Sequence, residues 1–205
     1  MTLSEFDGSF LSSKIRSIAG IDEAGRGPLA GPVVASAVVF KPGTFIPRVN
    51  DSKQLSGKIR EELYDLIVQE ALTYGIGIIH QEEIDKINIL QATLKAMENS
   101  LNDLLINPDL VLIDGNRSFK TQTKTKCIVK GDAKSFLIAS ASILAKVTRD
   151  SFMRKAHLEY PQYNWEQNKG YGTREHIEAI KKHGITPLHR KSFLKNILPD
   201  LVLDN

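Results

Sequence analysis

The chain has 205 residues and an apolar share of 41%, enough to bury the core of one large domain, with or without a small appendage. No apolar run is long enough to cross a bilayer, residues 1–18 lack the basic start and apolar stretch of a secretory signal, and the single Cys127 has no internal disulfide partner, so we expect a cytoplasmic protein without membrane contact. The net charge of +3 is unevenly spread: residues 51–109 hold eleven acidic and five basic side chains, and residues 117–155 hold two acidic and ten basic, which suits either a solvated surface or a polyanionic partner such as nucleic acid.

Ser17 to Asp22 reads as a strand, and Pro32 to Phe40, rich in β-branched residues, as a second. The Gly-Arg-Gly-Pro-Leu-Ala-Gly run between them is a turn. Ser56 is the expected N-cap of a helix running to about Leu72, with Ile59, Leu63, Leu66 and Ile67 at helical spacing. Gly75 to His80 is a third strand. Asn88 to Leu105 sets Ile89, Ala92, Met97 and Leu101 on one apolar helix face. Leu110 to Asp114, stopped by Gly115, reads as a buried strand, and Lys126 to Val129 as a fifth. Ala133 to about Glu159 is a long helix whose first half, from Phe136, is apolar or small nearly all round and should be buried. Thr173 to Lys182 is a last, amphipathic helix. Strands followed by alternating helices and strands predict a mixed α/β sheet flanked by helices. We expect residues 1–160 to form the core and residues 161–205 a helical extension.

Asp22 and Asp114 each end an apolar strand, where acidic groups of an open α/β sheet lie on its ligand-binding edge. If those strands are neighbours, the carboxylates converge. Two bare carboxylates about 4 Å apart repel by about 4 kcal/mol at an effective dielectric of about 20, so such a cluster needs a proton or a cation. Carboxylates without a histidine or cysteine cluster fit a hard ion, Mg²⁺ or Mn²⁺. Two such ions about 3.5–4 Å apart serve phosphodiester hydrolysis. Successive strand residues point to opposite faces, so Glu23 can share a site with Asp22 only if the strand ends or bends between them. Gly25 and Gly27 make that departure plausible. Taken singly, Asp22-Glu23 and Asp114-Gly115 are also common turn pairs, and Asp132 is placed to cap a helix. In Gly25-Arg26-Gly27 the glycines allow close backbone approach and the arginine can fork onto phosphate; an exposed turn has the same composition.

Ala19-Gly-Ile-Asp-Glu-Ala-Gly-Arg-Gly-Pro-Leu-Ala-Gly-Pro-Val-Val34 resembles the opening signature of the type 2 ribonuclease H family, in its bacterial ribonuclease HII branch. The resemblance continues through Asp51-Ser-Lys-Gln-Leu-Ser56, Leu112-Ile-Asp-Gly115, Lys130-Gly-Asp132 and Ala139-Ser-Ala-Ser-Ile-Leu-Ala-Lys-Val-Thr-Arg-Asp150. It closes with Gly170-Tyr-Gly-Thr173 and His189-Arg-Lys-Ser-Phe193, in family order over nearly the whole chain. It implies an RNase H-like fold and a four-carboxylate catalytic and metal-binding site on Asp22, Glu23, Asp114 and Asp132, holding Mn²⁺ or Mg²⁺. The implied reaction is endonucleolytic hydrolysis on the 5′ side of a ribonucleotide, leaving 3′-hydroxyl and 5′-phosphate ends. The implied substrates are RNA–DNA hybrids and ribonucleotides embedded in duplex DNA. Gly25, Arg26, Gly27 and Tyr171 match the group that senses the RNA-to-DNA junction, where a 2′-hydroxyl is both donor and acceptor.

Lys53, Lys146 and Arg149 are further candidates for phosphate contact, the last two on one helical face. We expect Asp150 to pair with a nearby cation, His189 to be structural or phosphate-side, and Cys127 to be a buried strand residue. Residues 198–205 lack a Gln-x-x-aliphatic-x-x-aromatic-aromatic anchor for a sliding clamp, and a monomer is expected. Two competing readings are a non-catalytic nucleic-acid-binding module, whose binding survives chelation, and a Mg²⁺-dependent phosphatase indifferent to a duplex.

Overall fold

Five strands make one sheet: β1 (Ile18–Ala24), β2 (Val33–Val39), β3 (Thr73–Ile79), β4 (Leu110–Asp114) and β5 (Lys124–Ile128). The computed structural model describes residues 2–49, 55–195 and 198; Lys53 and residues 199–205 lie outside them. The order across the sheet is β3-β2-β1-β4-β5. β3, β2 and β1 run antiparallel, while β1, β4 and β5 run parallel. The expected α/β class is therefore the observed one, and β1 and β4, whose ends carry Asp22 and Asp114, are neighbours.

The helices are α1 (Leu3–Gly8), α2 (Gly57–Glu70), α3 (Gln81–Asn102), α4 (Phe136–Glu159), α5 (Trp165–Asn168), α6 (Arg174–His183) and α7 (Lys191–Leu194). Ser56 caps α2 by accepting from the Ile59 amide at 3.3 Å, as the sequence predicts, and Thr173, read as the start of the last helix, is the N-cap of α6. Strand limits shift by up to two residues, and two helix starts differ further. α3 begins at Gln81, not Asn88. Asn88 interrupts it with φ 66°, and its side chain accepts from the Leu90 and Gln91 amides, so the residue read as a helix start caps a second helical segment. α4 is capped by Ser135, whose hydroxyl accepts from the Ile138 amide at 3.1 Å. Asp132 sits earlier, in the short 3₁₀ turn Gly131–Ala133, and does not cap it.

The pleat sorts the core into two layers. Ile18, Val38 and Leu112 face the buried half of α4 together with α2; Ala19, Ile21, Val111 and Ile113 face Ala92, Ala96 and Met97 of α3. Gly20 lies against the α4 backbone. One polar contact crosses the first layer, from the Ser36 hydroxyl to the Ala141 carbonyl at 2.8 Å. A third cluster joins Leu29 and Ala30 of the glycine-rich turn to Met153 of α4 and to Tyr163, Trp165, Ile180 and Leu194. That packing brings the segment carrying Tyr171 back to the strand ends.

The expected bend between Asp22 and Glu23 is absent. β1 runs straight through both, with Asp22 opposite Ser36, Glu23 opposite Ala35 and Ala24 opposite Val34. The break comes at Gly25, with φ +97°. The requirement behind the expectation is met in another way: β4 pairs with β1 only as far as Ile21 opposite Ile113. Past that point β1 stands clear of β4 on one side, and its last residues reach one opening from either face.

Candidate active site

Asp22 lies two residues before the carboxyl end of β1 and Asp114 ends the adjacent parallel strand β4, toward the usual ligand edge of such a sheet. Asp22 is only 5% exposed and its carboxylate accepts from the Glu23 amide at 2.7 Å. Burial pushes its pKa well above the ordinary carboxylate range, and the charges of Glu23 and Asp114 push it further, while the Ser142 hydroxyl and the Glu23 amide act the other way. Three acidic groups therefore bear on one another across a small volume. Asp114 Oδ1 accepts from the Gly131 amide at 2.6 Å, and Glu23 Oε1 lies 3.3 Å from the Arg26 guanidinium.

Asp22, Glu23 and Asp114 line a cleft of about 240 Å³. Its other lining comes from residues 24–27, from Ser142 and Lys146 of α4, and from Tyr171. The donor set is carboxylate oxygen without histidine or cysteine, which fits a hard divalent cation, and the mutual repulsion around Asp22 is what such a cation relieves. Among the described residues no trio of histidine, cysteine or acidic side chains is already gathered at metal-holding spacing. Asp132 is buried one residue beyond Gly131 and is not among the lining residues.

The structure separates the basic candidates. Lys146 lines the cleft and pairs with Asp150 at 2.8 Å, the cation partner expected for that aspartate. Arg149 is not a phosphate contact. It is 1% exposed and donates to the carbonyls of Pro32, Lys169 and Ala30 at 3.0, 3.0 and 3.1 Å; burial pushes its pKa down to about 10. Spacing put Arg149 on the same helix face as Lys146, but a shared face does not distinguish its exposed edge from its buried one. Cys127 is half-buried on β5.

Tyr171 is 45% exposed, and its ring lies beside Gly27, where an added Cβ would sit 3.5 Å from Cε1. Its carbonyl accepts from Nδ1 of His176 at 2.9 Å. His176 Nε2 accepts in turn from the Trp165 indole at 2.9 Å and meets His189 Nε2 at 3.2 Å. His189 Nδ1 accepts from the Thr186 amide at 2.9 Å, so its proton is on Nε2 and points at His176. Burial and the neighbouring His176 push His189 down to about 3. A histidine neutral at every working pH and sealed in an aromatic cluster is structural, not a general base.

Sequence reasoning missed Arg190 and Ser142. Arg190 is 0% exposed and donates to the carbonyls of Gly25, Arg26 and Gly31 at 2.6, 3.1 and 2.9 Å. Burial, and then Arg149, pushes its pKa down to about 9. No local pattern marks an arginine for burial when its partners are backbone carbonyls more than 150 positions away. Ser142 had a weak signal, a hydroxyl within an otherwise apolar helix half.

A family model described as Ribonuclease HII matches residues 19–196. Ribonuclease HII of Clostridioides difficile strain 630 is 60% identical over 181 residues, covering 88% of this chain and 71% of that protein. Ribonuclease HII of Endomicrobium trichonymphae is 54% identical over 193 residues, covering 92% and 90%. Among solved structures, the ribonuclease H2 from Pyrococcus horikoshii OT3 superposes with a TM-score of 0.76 at 27% identity, covering 92% of this chain and 100% of that one. With a family model matched over most of its length and relatives more than half identical to it, this chain belongs to the ribonuclease HII family and is a ribonuclease H, a phosphodiester-hydrolysing endonuclease.

Proposed function

We propose that the enzyme cuts the RNA strand of RNA–DNA hybrids and also cuts duplex DNA on the 5′ side of an embedded ribonucleotide, leaving 3′-hydroxyl and 5′-phosphate ends. The observation that carries this reading is the cleft itself, which Asp22, Glu23 and Asp114 line together with the Gly25–Gly27 loop and Tyr171. In this reading Asp22, Glu23 and Asp114 hold divalent metal, Mg²⁺ or Mn²⁺, with Asp132 as the fourth carboxylate. Two bound cations would supply the Lewis acidity for the hydrolysis. The chain's own residues do the rest. The loop amides meet the 2′-hydroxyl, the Tyr171 ring stacks on the sugar that lacks one, and Lys146 approaches a backbone phosphate. Exposed Lys124, Lys126, Lys130 and Lys134, on β5 and just past it, extend a basic track from the Asp114 side, and Lys53 is a further candidate. The C-terminal segment from residue 161 acts as the part that carries Tyr171.

The deciding experiment is incubation with duplex DNA carrying one ribonucleotide, in Mg²⁺, Mn²⁺ or EDTA. A single cut 5′ of the ribonucleotide with either metal, and none in EDTA, is the expected result; an intact duplex under both metals removes the reading. Binding without cutting would favour the non-catalytic alternative. Tyr171→Ala is expected to lose about tenfold in kcat/KM at a single ribonucleotide, the worth of one base- or sugar-stacking contact, and less on a long hybrid, where any of many positions can be cut. Equal losses on both substrates would reject the junction role of Tyr171.

A further inference from the structure

Between β1 and β2 the chain forms a loop whose residues 25–27 line the cleft and whose Ala30 makes an isolated bridge with His189. Two buried guanidiniums hold its carbonyls. Arg190 takes Gly25, Arg26 and Gly31; Arg149 takes Ala30 and Pro32, together with Lys169 from the C-terminal side. A trans peptide is planar, so a carbonyl aimed one way aims the amide of the next residue the other way. With the Gly25 and Arg26 carbonyls both on Arg190, the amides of Arg26 and Gly27 point away from it. Residues 25–27 line the cleft and Arg190 is fully buried behind them, so that direction is the cleft.

We propose that Arg190 is a positioning residue for ribonucleotide recognition: by drawing back two successive carbonyls it presents the Arg26 and Gly27 amides as a preformed donor pair to the substrate. This rests on the reading that the Gly25–Gly27 loop meets the ribonucleotide. The Arg26 side chain is less suited to that task, since it is 53% exposed and already near Glu23. A planar fork with five donors can hold adjacent carbonyls at fixed spacing, and a lysine ammonium cannot. Gly25 completes the arrangement. Its φ of +97° is one that L side chains rarely adopt, and an added Cβ would meet Arg149 Nε at 2.1 Å, so the loop can only take this path with glycine there. The two guanidiniums also leave positive charge beneath the loop, on the side from which a phosphate or hydroxyl oxygen is drawn in.

The test compares Arg190→Lys with Arg149→Lys, with rates expressed per folded molecule from thermal melts. Arg190→Lys is expected to lower kcat/KM at a single embedded ribonucleotide by about tenfold, the worth of one or two hydrogen bonds, with the Kd for an all-DNA duplex in EDTA changed less than about twofold. Arg149→Lys, which loosens the far end of the loop, is expected to cost similar stability and less of the ribonucleotide preference. The inference is overturned if Arg190→Lys cuts at the wild-type rate, if its all-DNA affinity falls in step with cutting, or if Arg149→Lys loses the preference equally. Should Arg190→Lys not fold, amide hydrogen exchange on the wild-type protein decides. The Arg26 and Gly27 amides should exchange readily when free and slow on binding the ribonucleotide duplex in EDTA, and no slowing overturns the proposal. Failure of wild-type enzyme to cut at a ribonucleotide is a different result, and it removes the underlying reading of the loop.

Discussion

Asp22→Asn is expected to make the metal-free protein more stable while removing its activity. Asp22 is buried, and burial together with Glu23 and Asp114 raises its pKa. A carboxyl whose pKa is raised by folding penalises the folded state when ionised, and the penalty grows as pH rises from the ordinary carboxylate range through the folded value. Asparagine has the same shape and no charge. Its oxygen can still accept from the Glu23 amide, as Asp22 does, and its amino group can donate to the Ser142 hydroxyl. The variant should therefore melt higher than wild type at neutral pH without metal, and the gain should vanish in acid, where wild-type Asp22 is protonated in both states. Activity moves the other way. Partners one step removed from a bound ion already cost about 10–100-fold when mutated, so losing a direct ligand should exceed that. Added Mg²⁺ or Mn²⁺ should raise the melting temperature of wild type by mass action and leave the variant unmoved. A variant that melts lower than wild type without metal, or that keeps near wild-type cutting, would show that Asp22 is neither a crowded charge nor a ligand.

The second large effect concerns the sheet-to-helix contact beneath the site. A methyl group at Gly20 would lie 2.3 Å from the Leu137 carbonyl carbon, 2.5 Å from its oxygen and 2.6 Å from the Ile138 nitrogen. These are backbone atoms in the first turn of α4, so no side-chain rotation relieves the clash and the helix itself must shift. Forcing a methyl into packed structure costs about 1–3 kcal/mol; with a rigid helix on the far side we expect about 3, or roughly 6–12 °C in Tm for a chain of this size. Because α4 also brings Ser142 and Lys146 to the cleft, Gly20→Ala should lower cutting even per folded molecule. Gly57→Ala is the control. Nothing lies within 4 Å of its added Cβ, and alanine at a helix start should leave Tm unchanged or slightly raised. Equal melting temperatures for the two variants would refute the close-approach account.

These two positions also show what the sequence could and could not reveal. That Asp22 and Asp114 lie toward strand ends was legible because each closes an apolar run; that β1 and β4 are neighbours was only a condition, which the sheet order meets. β4 was read at its observed limits, since Gly115 stops it sharply. Glu23 came to the site through the resemblance, and the bend expected to bring it there is absent: the strand runs on past Asp22, and both residues reach one cleft where β4 has stopped pairing. That is a property of register between segments some 90 positions apart, and it leaves no local trace. α1, α5 and α7, at 6, 4 and 4 residues, are too short to show a period. The Asn88 kink resembled a helix start because the same side-chain capping serves both. Arg149 and Arg190 were opaque for another reason: charge predicts exposure, and only the path of a distant loop turns these two inward.

The hydrogen bonds from Arg190 to Gly25, Arg26 and Gly31 span about 160 positions, and that distance has a meaning in time. Synthesis runs from the N-terminus at about 5–20 residues per second, so the strands bearing Asp22 and Asp114 can pair well before residue 190 has left the ribosome. Until it does, the loop at the cleft mouth lacks the group that holds its carbonyls back. A nascent chain can thus own its acidic cluster while the part proposed to tell RNA from DNA is still unformed, so the selective surface is completed last.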